Sequence, residues 1–504
     1  MAGKKPNLLF ILNDHQAYYG HGANGGVKPL HPNFDALAAS GARFEQNYSV
    51  TPMCGPARRS FLTGLYPHTH GQVHNENDPN YFHDVYLDNL YHAGYRNFYY
   101  GKWHAGPGCA YDHHCDGFSQ SGYGNPYNTP DYAAYCKKHS LPRAAHRIEM
   151  AFSHSGYKAY RSFKDMVPGA IYQCEEFFSG EHAIGTTITP EDSHEAFFVA
   201  NMACEKLEEL AKDNDDRPFA LRVDFWGPHQ PFFPTQKYLD MYDKTKILPY
   251  PSGHDTLEDK PMVLRTERSH PMCDENEMVN PDGLTQEQWQ DILVHCYAHG
   301  TMVDAAGGRV IDKLRELGLD ENTIIIWTTD HGDAIACHGG HFDKDSHMAM
   351  EVIRTPLAVS WKGHIQPGTV YDGYTFTCDV PCTLMDAAGL QFSNEVDGTS
   401  LVKLLDPATP HRDSLMLETY GHGYGTTIIG RTLLHDGWKY VCTEEDLDEL
   451  YDLNEDPFEM KNLAYLPEYA EKRMQMRTLL REQQVKTKDP VKLDDISPDK
   501  LTRR

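Results

Sequence analysis

Leu8-Leu9-Phe10-Ile11-Leu12-Asn13-Asp14-His15 is the stretch whose reading decides the fold. The run Leu8–Leu12 has no polar face, the pattern of a strand buried on both sides in a helix-covered parallel sheet. Asp14 and His15 follow at its carboxyl end. The arrangement recurs. Phe98–Tyr100 leads into Gly101-Lys102-Trp103-His104, Phe219–Phe225 into Gly227-Pro228-His229, and Thr323–Trp327 into Thr329-Asp330-His331-Gly332. Helical segments lie between these runs. Pro32–Ala39 ends at Gly41, a helix opened by the Thr189-Pro190 cap runs through Leu210, and Asp304–Leu317 stops at Gly318. The alternation predicts an α/β fold with a large, mostly parallel sheet flanked by helices. Asp14, Lys102, His229 and Asp330 each fall just past a strand end, the edge where open α/β sheets bind their ligands.

The 504 residues suit one large domain and a smaller one. The texture changes after residue 405. Met416–Thr419, Thr426–Leu434 and Trp438–Cys442 read as antiparallel strands with short turns, followed by a polar helix near Pro467–Gln484 and a charged tail from Lys486. We expect a catalytic domain over 1–405 and a small antiparallel sheet plus helix over 406–504. A net charge of −26 opposes nucleic acid, anionic membranes and long polyanions as partners. The longest apolar runs fall far short of the ~20 residues of a transmembrane helix. Pro6 leads straight into the first strand without a cleavage-site pattern, so a cytoplasmic location is expected. The 12 cysteines then default to buried thiols. Cys109/Cys115 and Cys378/Cys382 lack zinc-site spacing.

Cys54-Gly55-Pro56-Ala57-Arg58-Arg59-Ser60-Phe61-Leu62-Thr63-Gly64 carries the chemistry. It resembles the Cys-x-Pro-Ser/Ala-Arg signature of the formylglycine-dependent sulfatases, members of the alkaline-phosphatase-like superfamily. The resemblance extends over the whole chain, to Glu449-Leu450-Tyr451-Asp452-Leu453 and Asp456-Pro457 near its end. It implies an alkaline-phosphatase-like core and a small C-terminal sheet domain. It implies that a maturation enzyme oxidises Cys54 to formylglycine, the nucleophile. Asp14, His15, Asp330 and His331 match positions that bind a divalent metal beside Cys54. Arg58, Lys102, His104, His229 and Lys344 match positions that hold the sulfate and handle protons, and Asn75 matches an asparagine lining the site. Any one of these residues taken singly reads as a buried thiol, a cap or a turn; their joint order carries the resemblance.

The chemistry suits these residue types. A hydrated aldehyde offers one hydroxyl to attack sulfur and a second whose deprotonation expels sulfate, which an ordinary serine cannot do. Arg58, Lys102 and Lys344 neutralise the sulfate oxygens. His229 or His104 protonates the leaving oxygen. Two departures bear on the metal. Many sulfatases carry two aspartates where this chain has Asp14-His15, and Asp-Asn where it has Asp330-His331. Calcium is favoured by resemblance, with manganese or another transition ion as the alternative that imidazole suits. Gln16 stands as an alternative ligand to His15. The expected substrate is a small aryl, alkyl or saccharide sulfate. A phosphonate monoester or phosphodiester hydrolase with the same nucleophile is the alternative activity. The sequence leaves homo-oligomerisation open.

Overall fold

Strand Asn7–Asn13 (β1) sits inside an eight-stranded sheet in the computed structural model of the chain. The structure describes all residues except 1–3, 19–26, 76, 123, 152, 155–167, 175–182, 249, 268–277, 280–283, 342, 345–347, 423–427 and 494–504. The other strands of this sheet are Ala42–Phe44 (β2), Arg96–Lys102 (β3), Cys115–Gln120 (β4), Phe219–Asp224 (β5), Thr323–Thr329 (β6), Leu357–Trp361 (β7) and Thr369–Tyr371 (β8). Their spatial order is β8-β2-β7-β6-β1-β5-β3-β4. β7 runs antiparallel to β6 and β2, and every other neighbouring pair is parallel.

The unbroken apolar run of β1 has a simple cause. Leu9 and Ile11 enter one hydrophobic cluster, with Phe197, Ala203, Val303 and Val310. Leu8, Phe10 and Leu12 enter another on the opposite face, with Phe61, Leu62, Val380 and Leu384. Alternate residues therefore meet different helix layers, and neither face reaches water. Helices Glu195–Lys212 and Gln286–Glu316 cover the first face. Cys54–Thr63 and Asp379–Ala387 cover the second.

Register brings the strand ends together. Asn13 pairs with Thr329, and the Asp330 N–H donates to the Asn13 carbonyl at 3.2 Å. Asp14 and Asp330 thus leave the sheet side by side. β3 runs two residues beyond the expected Tyr100, so Lys102 ends the strand instead of following it. Gly101 sits at φ 123°, and a Cβ there would lie 1.8 Å from the Asp224 carbonyl oxygen. Only glycine lets the ends of β3 and β5 close to that distance.

Helix Gln286–Glu316 begins well before the expected Asp304. Thr285 and Gln288 form a reciprocal capping box, with the Thr285 N–H on Gln288 Oε1 at 2.8 Å and the Gln288 N–H on Thr285 Oγ1 at 3.2 Å. Its middle, from Ile292 to Asp304, is buried all round, so it shows no polar stripe to mark a helix. The helix expected to open at Thr189 begins at Glu195, after a short turn over Glu191–Ser193.

The chain ends in a separate antiparallel sheet of Ser414–Thr419 (β9), Gly430–His435 (β10), Trp438–Thr443 (β11) and Glu449–Asp452 (β12), packed with helix Ala470–Thr487. Part of the strand expected over 426–434 lies outside the described residues, as does the tail from 494. Leu415, Leu433 and Tyr440 share a cluster with Val50, Tyr66 and the two-stranded sheet of Asn47–Tyr48 and Thr375–Phe376, so the small sheet packs on segments that flank the large one. The described cysteines are thiols and not disulfides. Among the described residues no helix is long and apolar enough to cross a membrane.

Candidate active site

The carboxyl edge of the large sheet gathers Asp14 from β1, Lys102 from β3, Asp224 from β5 and Asp330 from β6. Cys54 opens helix Cys54–Thr63 above them, and Arg58 sits one turn on, on the same face. All six are buried.

Arg58 is the hub. Its Nε donates to Asp330 Oδ2 at 2.8 Å, and its Nη1 donates to Asp224 Oδ2 and to the Lys102 carbonyl, both at 3.0 Å. Its Nη2 lies 3.5 Å from Asp14 Oδ2. A buried guanidinium is tolerated only with such pairing. Burial disfavours its charge, but Asp330 and then Asp14 outweigh that and push its pKa further up. Lys102 Nζ donates to Asp14. Burial opposes ionisation of Asp14, yet Lys102 and Arg58 hold its carboxyl well below the usual range.

Asp14, Cys54, Asp330 and His331 each offer a donor atom, all within 4.8 Å of one another. Asp14 Oδ1 is buried and accepts no hydrogen bond. An orphaned carboxylate oxygen aimed at three further donors fits a cation better than any arrangement of the protein alone. The His331 Nδ1–H faces the Gly332 carbonyl at 2.8 Å, which turns its Nε2 toward Cys54 Sγ, 3.0 Å away. Burial pushes the Cys54 thiol up to about 11, against the pull of Lys344.

His15 and Gln16 lie elsewhere. His15 Nε2 is 3.0 Å from Asp343 Oδ1 and 3.8 Å from Asp333 Oδ1. Its ring stands edge-on to His229 at 4.5 Å and to His331 at 4.7 Å. It therefore groups with His229 and Asp343, beside the four-donor set. Gln16 accepts from Asn13, and its Nε2 is 3.4 Å from His31 Nε2. Lys344 Nζ donates to Asp343 Oδ1 at 2.9 Å. Asn75 Oδ1 accepts the Gly55 N–H at 2.9 Å and so anchors the start of the helix that carries Cys54. His229 Nδ1 faces the Gln230 carbonyl at 2.8 Å. Burial, then His15, keep the His229 ring well below the ordinary histidine range; burial, then Lys102, do the same for His104.

Three carboxylates escaped the sequence reading. Asp224 closes β5 and obeys the same strand-end rule as Asp14. Asp343 directly precedes Lys344, and Asp333 lies three residues past Asp330 with no strand to flag it.

The family model described as Sulfatase matches residues 6–390. The chain belongs to the sulfatase family. A second model, for the C-terminal part of N-sulphoglucosamine sulphohydrolase, matches residues 337–486. A choline-sulfatase of Rhizobium meliloti (strain 1021) is 29% identical, with 93% of this chain and 84% of the relative covered. Among solved structures, the phosphonate monoester hydrolase of Agrobacterium radiobacter superposes with a TM-score of 0.74 at 20% identity, covering 96% of each chain. A structure in complex with its substrate D-glucosamine-2-N,6-O-disulfate superposes at 0.69 and 20% identity, covering 97% of this chain and 99% of that one. These two share the fold. As a sulfatase, the protein is a sulfuric ester hydrolase.

Proposed function

We propose that this sulfatase hydrolyses a small sulfate monoester through formylglycine made from Cys54 by a maturation enzyme. A divalent ion would be held by Asp14, Asp330, His331 and residue 54. The observation that carries the reading is the state of Cys54. Burial pushes its thiol up to about 11, yet Lys344 and Lys102 stand beside it, the cations an anionic ester requires. An unmodified thiol there is a poor nucleophile.

The aldehyde hydrate and the ion together would supply a hydroxyl nucleophile of lowered pKa. The chain's own residues do the rest. Arg58 fixes the carboxylates that would hold the ion. Lys102 and Lys344 neutralise sulfate oxygens as negative charge spreads over them. His229 is neutral in the free enzyme; an anionic sulfate beside it raises its pKa and lets it carry the proton for the leaving oxygen. His104 is the second candidate for that proton. Asn75 keeps the nucleophile helix in register. Calcium is favoured by family resemblance, whereas an imidazole among the donors suits manganese or another transition ion. His331 in that set also supports the second reading, a phosphonate monoester hydrolase with the same nucleophile. The net charge of −26 favours small substrates over sulfated polymers.

Mass spectrometry of the peptide containing Cys54 tests the nucleophile, and the thiol-to-aldehyde mass change is the expected result. Turnover of an aryl sulfate against the matching aryl phosphonate monoester tests the substrate; a higher kcat/KM for the phosphonate would replace the first reading by the second.

His229→Ala separates proton transfer from binding. A leaving oxygen with a high pKa needs protonation, while an activated phenol does not. The variant should lose roughly 10²–10⁴-fold on alkyl sulfates and about tenfold or less on activated aryl sulfates. Equal losses on both would assign His229 to sulfate binding.

A further inference from the structure

Behind the active site a second set of buried donors comes together. His194 and Glu195 lie at the start of helix Glu195–Lys212, and His299 lies midway along helix Gln286–Glu316, which packs against it. Each offers a donor atom, and the three atoms lie within 4.8 Å of one another. Their exposures are 4%, 1% and 3%. Groups this deep are ordinarily hydrogen-bonded. Here neither ring nitrogen of His299 has a hydrogen-bond partner, and neither has Glu195 Oε2. His194 Nδ1 accepts the Ala196 N–H at 3.3 Å and stands 3.9 Å from Glu195 Oε1.

The wall of this cluster is backbone. A Cβ at Gly227 would lie 3.3 Å from His299 Nε2, 3.6 Å from Glu195 Oε1 and 2.6 Å from Val303 Cγ2. The Trp226 N–H donates to the Glu195 carboxylate. Two imidazoles and a carboxylate are the donor set of zinc-class ions. Such an ion holds its donors roughly 3.3 Å apart, so binding would draw these three inward.

We propose that His194, Glu195 and His299 bind a transition-metal ion of the zinc class, separate from the ion of the active site. Its role is structural. The Gly227 carbonyl accepts the Asp14 N–H at 3.0 Å. The segment Trp226-Gly227-Pro228-His229 therefore runs between the cluster and the catalytic edge, and an ion on Glu195 pins the segment that delivers His229. This site does not depend on which ester the enzyme cleaves.

The test is metal analysis of full-length protein expressed with added zinc and then dialysed metal-free, because a closed site fills as the chain folds. Wild type and Asp14→Asn should each retain about one zinc per chain at this cluster. Glu195→Gln and His299→Ala should lose it. Chelator under mild denaturant should lower the thermal midpoint of Asp14→Asn and leave that of the double variant Asp14→Asn, Glu195→Gln unchanged. Glu195→Gln preserves shape and is the deciding variant, its fold checked by circular dichroism. Zinc unchanged in folded Glu195→Gln, or absent from wild type, overturns the proposal and leaves a water-filled polar cavity.

Discussion

Cys54→Ala is expected to lower kcat/KM for a sulfate ester by at least about 10⁴-fold, as the loss of a covalent nucleophile does elsewhere. The fold should survive. Cys54 is small, its only described polar contact is His331 Nε2 at 3.0 Å, and alanine suits the helix it opens. The measurement is initial rates beside a far-ultraviolet circular dichroism spectrum and a melting curve. Cys54→Ser should be equally inactive, unless the host's maturation enzyme accepts serine. A folded alanine variant with substantial turnover would falsify the mechanism.

Asp14→Asn should remove the active-site ion and cost roughly 10³-fold or more in rate, since a catalytic cation supplies several kcal/mol of transition-state stabilisation. Asp14 is the cleaner of the two acidic positions. Its Oδ1 accepts no hydrogen bond, so the change there removes ligand charge while weakening two pairings, those of Oδ2 with Lys102 and with Arg58. Asp330 accepts the His15 N–H at 3.1 Å, the His331 N–H at 3.0 Å and Arg58 Nε at 2.8 Å. Asp330→Asn therefore also destabilises, by about 3–5 kcal/mol where a buried ion pair is broken. Elemental analysis identifies the ion. Full activity in a metal-free sample would remove the site from the mechanism.

Much of the fold was legible because its signals are local. Strands buried on both faces must be apolar throughout, so β1, β5 and β6 stand out as runs, and the residues closing them lie at the ligand-binding edge by geometry alone. Lys102 was found by the same rule although its strand proved longer. The motif from Cys54 to Gly64 carried nucleophile and arginine together because one helical turn places both on one face.

The local signals determined the α/β class, the strand-end residues and the family. What surrounds those residues was settled only by the tertiary structure. Arg58 binds Asp224 and Asp330, which lie 166 and 272 residues away in sequence, because parallel register stacks three strand ends beneath one helix. His15 faces Asp343 and Asp333 instead of joining Asp14, a choice made by backbone that arrives from beyond β6. The first half of helix Gln286–Glu316 was invisible because uniform burial erases amphipathic period. The cluster of His194, Glu195 and His299 joins two helices far apart in sequence. Pairings of this kind depend on which distant segments share a desolvated space, and no local pattern encodes that.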